Sequence, residues 1–195
     1  MKRLIFATNN ENKLREAREI LNDFEILSQS DVGFLDEVIE DGISFAENAL
    51  KKAIAGALFT NQIVFAEDSG ICVHALDNAP GIFSARYSGG NDSYDNPAKL
   101  LKEMENIENR TAHFHCTIAL VFPLSQGGNQ HIFESEWHGQ VAHEFSGNNG
   151  FAYDKIFIPN GHSVTSAALS PQEKNSISHR HQSLMKLKRF LNTYI

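Results

Sequence analysis

Only two cysteines, Cys72 and Cys116, stand in this chain, and they are too far apart to make a CxxC pair. That excludes a disulfide framework and a cysteine-based zinc ribbon, and it points to a reducing compartment such as the cytoplasm. Long apolar runs are missing as well. No stretch approaches the ~18 residues of a membrane span. The basic start at Lys2-Arg3 leads only into Leu4–Ala7, too short for the apolar centre of a signal peptide. Positive charge is scarce: 17 Lys and Arg against 24 Asp and Glu give a formal net charge of −7. Bulk attraction to nucleic acid is therefore excluded, and any anionic ligand must be held by a local basic site. His113 and His115 fall on one face of a predicted strand, but no HExxH and no third ligand at useful spacing accompany them, which argues against zinc. Ser69 and Ser178 lack the context of a nucleophile elbow, which argues against a serine hydrolase. Two glycosylation sequons, at Asn91 and Asn109, carry no meaning in a cytosolic protein.

What is present is an ordinary globular balance, 42% apolar and 21% charged, in 195 residues, enough for one good core or for two lobes sharing one sheet. No repeat, low-complexity segment or clean linker divides residues 1–195, so a single domain is expected. Leu4–Ala7 reads as a short buried strand. Thr8-Asn9-Asn10 supplies cap residues for a helix whose Leu14, Ala17 and Leu21 share a face. A second helix is predicted from Ser44 to about Leu58 and a second buried strand over Ile63–Ala66, ending at Glu67-Asp68-Ser69-Gly70. Ile71, Val73 and Ala75 alternate as a further strand. Asn96–Met104 reads as helix. Ala112–Phe122 and Ile132–Val141 read as a hairpin turning at Gln126–Asn129. Ser170-Pro171-Gln172-Glu173 is a capping box, and a last helix carries Leu184, Leu187 and Leu191 on one face. Strands mixed with helices and a long hairpin imply an α/β fold with a mixed sheet.

Four places carry chemical signals. Lys13 falls in the first turn of a helix that follows directly on a strand; a cation there opposes the helix dipole, as it does where an anion is shared between backbone N–H groups and an amine. The segment is neither a Walker A loop nor a GxGxxG turn. Two acidic pairs, Glu40-Asp41 and Glu67-Asp68, offer the one or two carboxylates that hold Mg²⁺ beside substrate phosphates. His179 and Arg180 crowd another helix start, and Arg180 brings a planar fork suited to phosphate or a base edge. Phe151 and Tyr153, beside Gly150 and Asp154, suit stacking on a nucleobase and bonding its edge. Each signal also has an ordinary counterpart: a solvated lysine, turn-forming acids, a basic helix end, an aromatic in the core. The residues alone leave that choice open.

Taken in order, the segments TNNENK at 8–13, EDGISFAENALKKA at 40–53, AEDSG at 66–70, PGIFSARYSG at 80–89, GFAYD at 150–154 and EKNSISHR at 173–180 resemble the inosine triphosphate pyrophosphatases, the non-canonical purine NTP pyrophosphatases. The resemblance spans nearly the whole chain. It implies a two-lobed α/β fold around a long mixed sheet, with a substrate cleft between lobes and usually a homodimer. The implied reaction is hydrolysis of ITP, dITP or XTP to the monophosphate and pyrophosphate with Mg²⁺ as cofactor, which cleanses the nucleotide pool of deaminated purines. No nucleic-acid or membrane partner is implied. By position, Thr8, Asn9, Asn10, Glu11, Asn12 and Lys13 resemble the triphosphate loop, and Glu40 and Asp68 the metal carboxylates. Asp68 is also similar to the proton acceptor for the attacking water, and Ser69, Lys52 and Lys174 to substrate contacts. Phe151, Ala152, Tyr153 and Asp154, with His179 and Arg180, resemble the purine-binding segment, whose donors would suit a 6-oxo group and offer nothing to an adenine amine. The chain departs from the family pattern at Ala152, where glycine is usual, at Lys155, where proline is expected, and at Asn148 and Asn149, where glycines are common. Two other readings are a Maf-like nucleotide pyrophosphatase, against which the SARYSG and SHR blocks argue, and a non-catalytic nucleotide-binding module, against which Lys13, Glu40 and Asp68 argue.

Overall fold

The computed structural model describes residues 2–89 and 94–194; the Asn91 sequon lies outside the described residues. Six strands form one mixed sheet in the order β2-β1-β3-β4-β5-β6. They are β1 Lys2–Phe6, β2 Phe24–Ser28, β3 Val64–Val73, β4 Thr111–Val121, β5 Gln130–Val141 and β6 Phe157–Pro159. β1 lies parallel to both β2 and β3, while β5 and β6 run antiparallel. The helices are α1 Glu11–Ile20, α2 Phe45–Thr60, α3 Asp95–Glu103, α4 Pro171–Ile177 and α5 His179–Tyr194. By its internal contacts the chain divides into two compact units, one of residues 1–68, 116–135 and 180–195, the other of residues 69–115 and 136–179. The divisions in chain order fall inside β3, β4 and β5 and at the start of α5.

In the first unit the continuous apolar runs of β1 and β3 have a simple cause: the sheet is covered on both faces, so alternate residues go to different cores. Leu4, Phe6, Phe65, Ile118 and Leu120 pack with Leu14, Ala17 and Leu21 of the α1 segment and with Leu184, Leu187 and Leu191 of α5. Ile5, Ala7, Val64, Ala66, Ala119 and Val121 pack with Ala49, Ala53 and Ala57 of α2. The small residues let α2 lie close to the sheet, and a Cβ at Gly56 would come 3.0 Å from Val64 Cγ1. The three leucines of α5 are fully buried, about 2 kcal/mol of transfer free energy each. In the second unit Ile71, Val73, Leu100, Met104, Phe114, Trp137, Tyr153, Ile156 and Phe157 form a separate core. Both cysteines are buried and free. Among the described residues no helix is long and apolar enough to cross a membrane.

The structure departs from the expected elements in two ways. β3 does not end at Asp68: it runs unbroken from Val64 to Val73, so Asp68 sits mid-strand, and Ala75 belongs to a 3₁₀ turn over His74–Leu76. Glu67-Asp68-Ser69-Gly70 has turn composition, yet both acids are buried against cations, and Gly70 serves a close approach. A Cβ there would meet Gly81 O and Ser84 Oγ, each at 2.4 Å. The short strands β2 and β6 were not foreseen. Five and three residues long, they offer too few alternations to stand out from the loops around them.

Candidate active site

In the first unit the loop after β1 is built by its own side chains. Asn10 Oδ1 accepts from the backbone N–H groups of Asn12, at 3.0 Å, and Lys13, at 3.2 Å, so Asn10 is the N-cap of α1. Asn9 Oδ1 accepts from Ser30 Oγ at 2.6 Å, tying the loop to the segment after β2. Thr8 Oγ1 accepts from Asn10 N at 3.2 Å. Two of the N–H groups that an anion would use are therefore held by Asn10. The Lys13 amine lies 3.3 Å from Glu67 Oε1. Glu11 stands exposed in the first turn, on the favourable side of the dipole.

The acids follow a second chain of contacts. Asn48 and Lys52 sit one helical turn apart on α2 and reach the same strand residue. Asn48 Nδ2 donates to Asp68 Oδ2 at 3.1 Å, while Asn48 Oδ1 accepts from Gly42 N at 2.8 Å. Lys52 Nζ donates to Glu40 Oε1 at 2.7 Å and to the Glu67 carbonyl at 2.9 Å, and lies 3.8 Å from Asp68 Oδ1. Glu40 and Asp68 thus meet the same ammonium. Burial raises the Asp68 pKa above the ordinary carboxylate value; Lys52 opposes this, the Glu40 charge adds to it, and Lys13 and Asn48 oppose it. Two carboxylates about one cation form a hard oxygen set of the kind Mg²⁺ takes, one or two protein acids with substrate phosphates completing the shell.

Arg180 is buried and paired with two carboxylates. Its Nε and Nη2 donate to the two oxygens of Glu67 at 2.8 and 3.0 Å, and Nη1 donates to Glu16 at 2.9 Å. Burial alone would lower its pKa, but the carboxylates of Glu67 and Glu16 outweigh that and hold it well above the ordinary value. The guanidinium is a buried strut joining β3 to α1.

In the second unit Ser69 is half-buried on β3. The two aromatics of the GFAYD segment divide their work. Tyr153 packs in the core and its hydroxyl donates to the Ser84 carbonyl at 2.8 Å, which gives PGIFSARYSG a structural task. Phe151 is half-buried, with the Lys174 ammonium 5.3 Å from its ring centre. Asp154 Oδ2 accepts from Phe151 N at 2.9 Å and from Lys174 Nζ at 2.5 Å, and its Oδ1 accepts from Ser166 Oγ at 3.0 Å. A Cβ at Gly150 would come 2.4 Å from Asp154 Oδ2, so only glycine fits. Ala152 has φ of +48°, in the left-handed region that favours glycine, which is why the family's glycine at this position has a physical basis. His179 stacks on Phe114, centroids 4.7 Å apart and 5° from parallel.

The structure thus brings together Glu40, Lys52 and Asp68, with Lys13 on the neighbouring Glu67, and separately Phe151, Asp154 and Lys174. Sequence reasoning passed over Asn48 and Glu16, and gave Glu67 no partner. The signal for Asn48 was there: a polar residue beside Ala49 and four positions before Lys52, on the face of α2 that is otherwise alanine and glycine. Glu16, facing Arg180 from 164 positions away, had none.

A family model described as the Ham1 family matches residues 4–190. A dITP/XTP pyrophosphatase of Geobacter sulfurreducens is 47% identical over 193 residues, covering 96% of each chain. The dITP/XTP pyrophosphatase of Bacillus subtilis is 41% identical over 196 residues, covering 98% of each. Among solved structures, a Ham1 protein from Coxiella burnetii superposes with a TM-score of 0.91 at 38% identity, covering 99% of this chain and 100% of that one. The Staphylococcus aureus Ham1 protein gives 0.91 at 36% identity with 100% of each covered.

Proposed function

Because the chain belongs to the Ham1 family, we propose that it is a nucleoside-triphosphate pyrophosphatase that hydrolyses non-canonical purine nucleotides, ITP, dITP and XTP, to the monophosphate and pyrophosphate. The observation that carries this reading is Glu40 and Asp68 converging on Lys52. Mg²⁺ would be held by Glu40 and Asp68, and when bound it supplies charge neutralisation along the triphosphate. Lys13 and Lys52 are assigned to the triphosphate with the Thr8–Lys13 loop. Each amine is now paired with a carboxylate and would exchange it for phosphate oxygens, countering the charge that builds on the departing pyrophosphate. Asp68, held in place by Asn48, orients water for in-line attack on the α-phosphorus and takes up its proton. Ser69 is assigned to the same substrate.

The base is assigned to Phe151, Ala152, Asp154 and Lys174, with Tyr153 packed in the core of the same unit; His179 and Arg180 are assigned to it on the family resemblance. The Lys174 ammonium lies over the Phe151 ring, 5.3 Å from its centre, so a purine held beside Phe151 comes within reach of that cation. A 6-oxo group accepts from Lys174, whereas a 6-amino group would face it donor to donor, at about 1–3 kcal/mol per unmatched buried group. A homodimer and a cytoplasmic setting complete the reading. The homodimer rests on the family resemblance, and the cytoplasm on the two free buried cysteines.

Phosphorus NMR of digests of ITP, XTP, GTP and ATP, with and without Mg²⁺, tests the whole reading. ITP and XTP should yield pyrophosphate and monophosphate far faster than ATP or GTP, and only with the metal. Early orthophosphate without pyrophosphate, or ATP cleaved as fast as ITP, would overturn it.

A further inference from the structure

A second cluster of metal-type side chains lies outside these residues. β4 alternates, with Ala112, Phe114 and Cys116 inward and His113 and His115 on the opposite face. On the same unit, Glu136 and His138 occur two apart on β5, beside β4 in the sheet. His113, His115 and Glu136 each present one ligand atom, and all three lie within 4.8 Å of one another. Glu136 Oε1 stands 3.7 Å from His113 Nε2 and also 3.7 Å from His115 Nδ1. That spacing exceeds a good hydrogen bond, about 3.2 Å at most. It is close to the roughly 3.4 Å between two ligands on a tetrahedral ion with bonds of about 2.0–2.1 Å.

The surroundings supply what a histidine–carboxylate site needs. His74 Nε2 lies 3.2 Å from His113 Nδ1. If Nε2 of His113 binds an ion, its Nδ1–H donates to His74, the outer contact that fixes a ligating imidazole's tautomer. His138 Nε2 lies 3.1 Å from Glu136 Oε2, orienting the carboxylate.

We propose that His113, His115 and Glu136 form a binding site for a divalent transition metal, with zinc the best fit to two imidazoles and one carboxylate, and with His74 and His138 as its outer contacts. The ion would pin β4 to β5 and leave a fourth position for water. The site shares no residue with the acids assigned to Mg²⁺, and the nitrogen donors select against that harder cation.

The test is calorimetric titration of chelator-treated protein with zinc, alongside cobalt absorption as a report of tetrahedral nitrogen–oxygen ligation. The wild type should bind one ion per chain with a dissociation constant at or below about 1 μM. The His113→Asn/His115→Asn double variant should lose that event while its circular dichroism and its zinc-free pyrophosphatase activity stay unchanged. His74→Ala should weaken binding about 10–100-fold. Glu40→Gln/Asp68→Asn should keep the zinc event. Wild-type binding no tighter than about 100 μM, undiminished binding in the double histidine variant, or loss of the event in the Glu40/Asp68 variant would each overturn the proposal.

Discussion

Replacing Arg180 by methionine keeps most of the side-chain volume and removes a charge that holds two buried acids. The guanidinium side chain is 4% exposed, Glu67's 0% and Glu16's 7%, so solvent can stand in for none of them in the variant. Breaking a buried ion pair from one side costs about 3–5 kcal/mol, because the remaining charge is left uncompensated. Two features bound the loss. Glu67 keeps Lys13 at 3.3 Å. A stranded acid can also escape by taking up a proton, which at neutral pH costs about 4 kcal/mol from an ordinary glutamate reference. A loss of about 4 kcal/mol is therefore expected, equivalent to roughly 8–16 °C in Tm for a chain of this size. The escape route gives a second signature. An acid whose folded form binds protons more readily than its unfolded form contributes stability that is lost as pH rises. The penalty in Arg180→Met should thus shrink on going from about pH 7.5 to about pH 5.5. Urea unfolding of wild type and variant at both values reads both quantities, and Glu67→Gln/Arg180→Met should recover part of the loss. A penalty under about 1 kcal/mol at neutral pH, or one that does not change with pH, would refute the buried-strut account.

Three further outcomes are expected. Asp68→Asn should lower kcat by about 10²–10⁴-fold with the fold retained, since an asparagine amide can turn its oxygen to Asn48; near-normal turnover in a folded variant would remove Asp68 from the chemistry. Ala152→Gly should raise stability by about 0.5–1 kcal/mol, because relief of the left-handed strain exceeds the added freedom of the unfolded chain, as urea unfolding would show. Glu173 is held below the ordinary carboxylate pKa by side-chain and backbone hydrogen bonds from Ser170, so its contribution is present above that range and lost as pH falls through the depressed value; Ser170→Ala should flatten the acid side of a Tm-against-pH curve and cost about 1 kcal/mol of helix capping.

Local patterns in the sequence were sufficient wherever the physics is local. The Asn10 cap, the Ser170–Glu173 box, the leucine face of α5 and the long hairpin follow from spacing and propensity that act over a few residues. The family blocks marked candidate residues without telling what they touch. The tertiary structure alone decided that Glu67-Asp68-Ser69-Gly70 is strand rather than turn, because buried acids are tolerable only when cations from distant segments meet them, and Lys13, Lys52 and Arg180 do so. It likewise decided that Arg180 faces Glu67 and Glu16, 113 and 164 positions away, and not solvent or a helix end. The third ligand beside His113 and His115 was invisible for the same reason: Glu136 comes from the neighbouring strand, and strand pairing sets such distances without leaving a trace in the spacing along the chain.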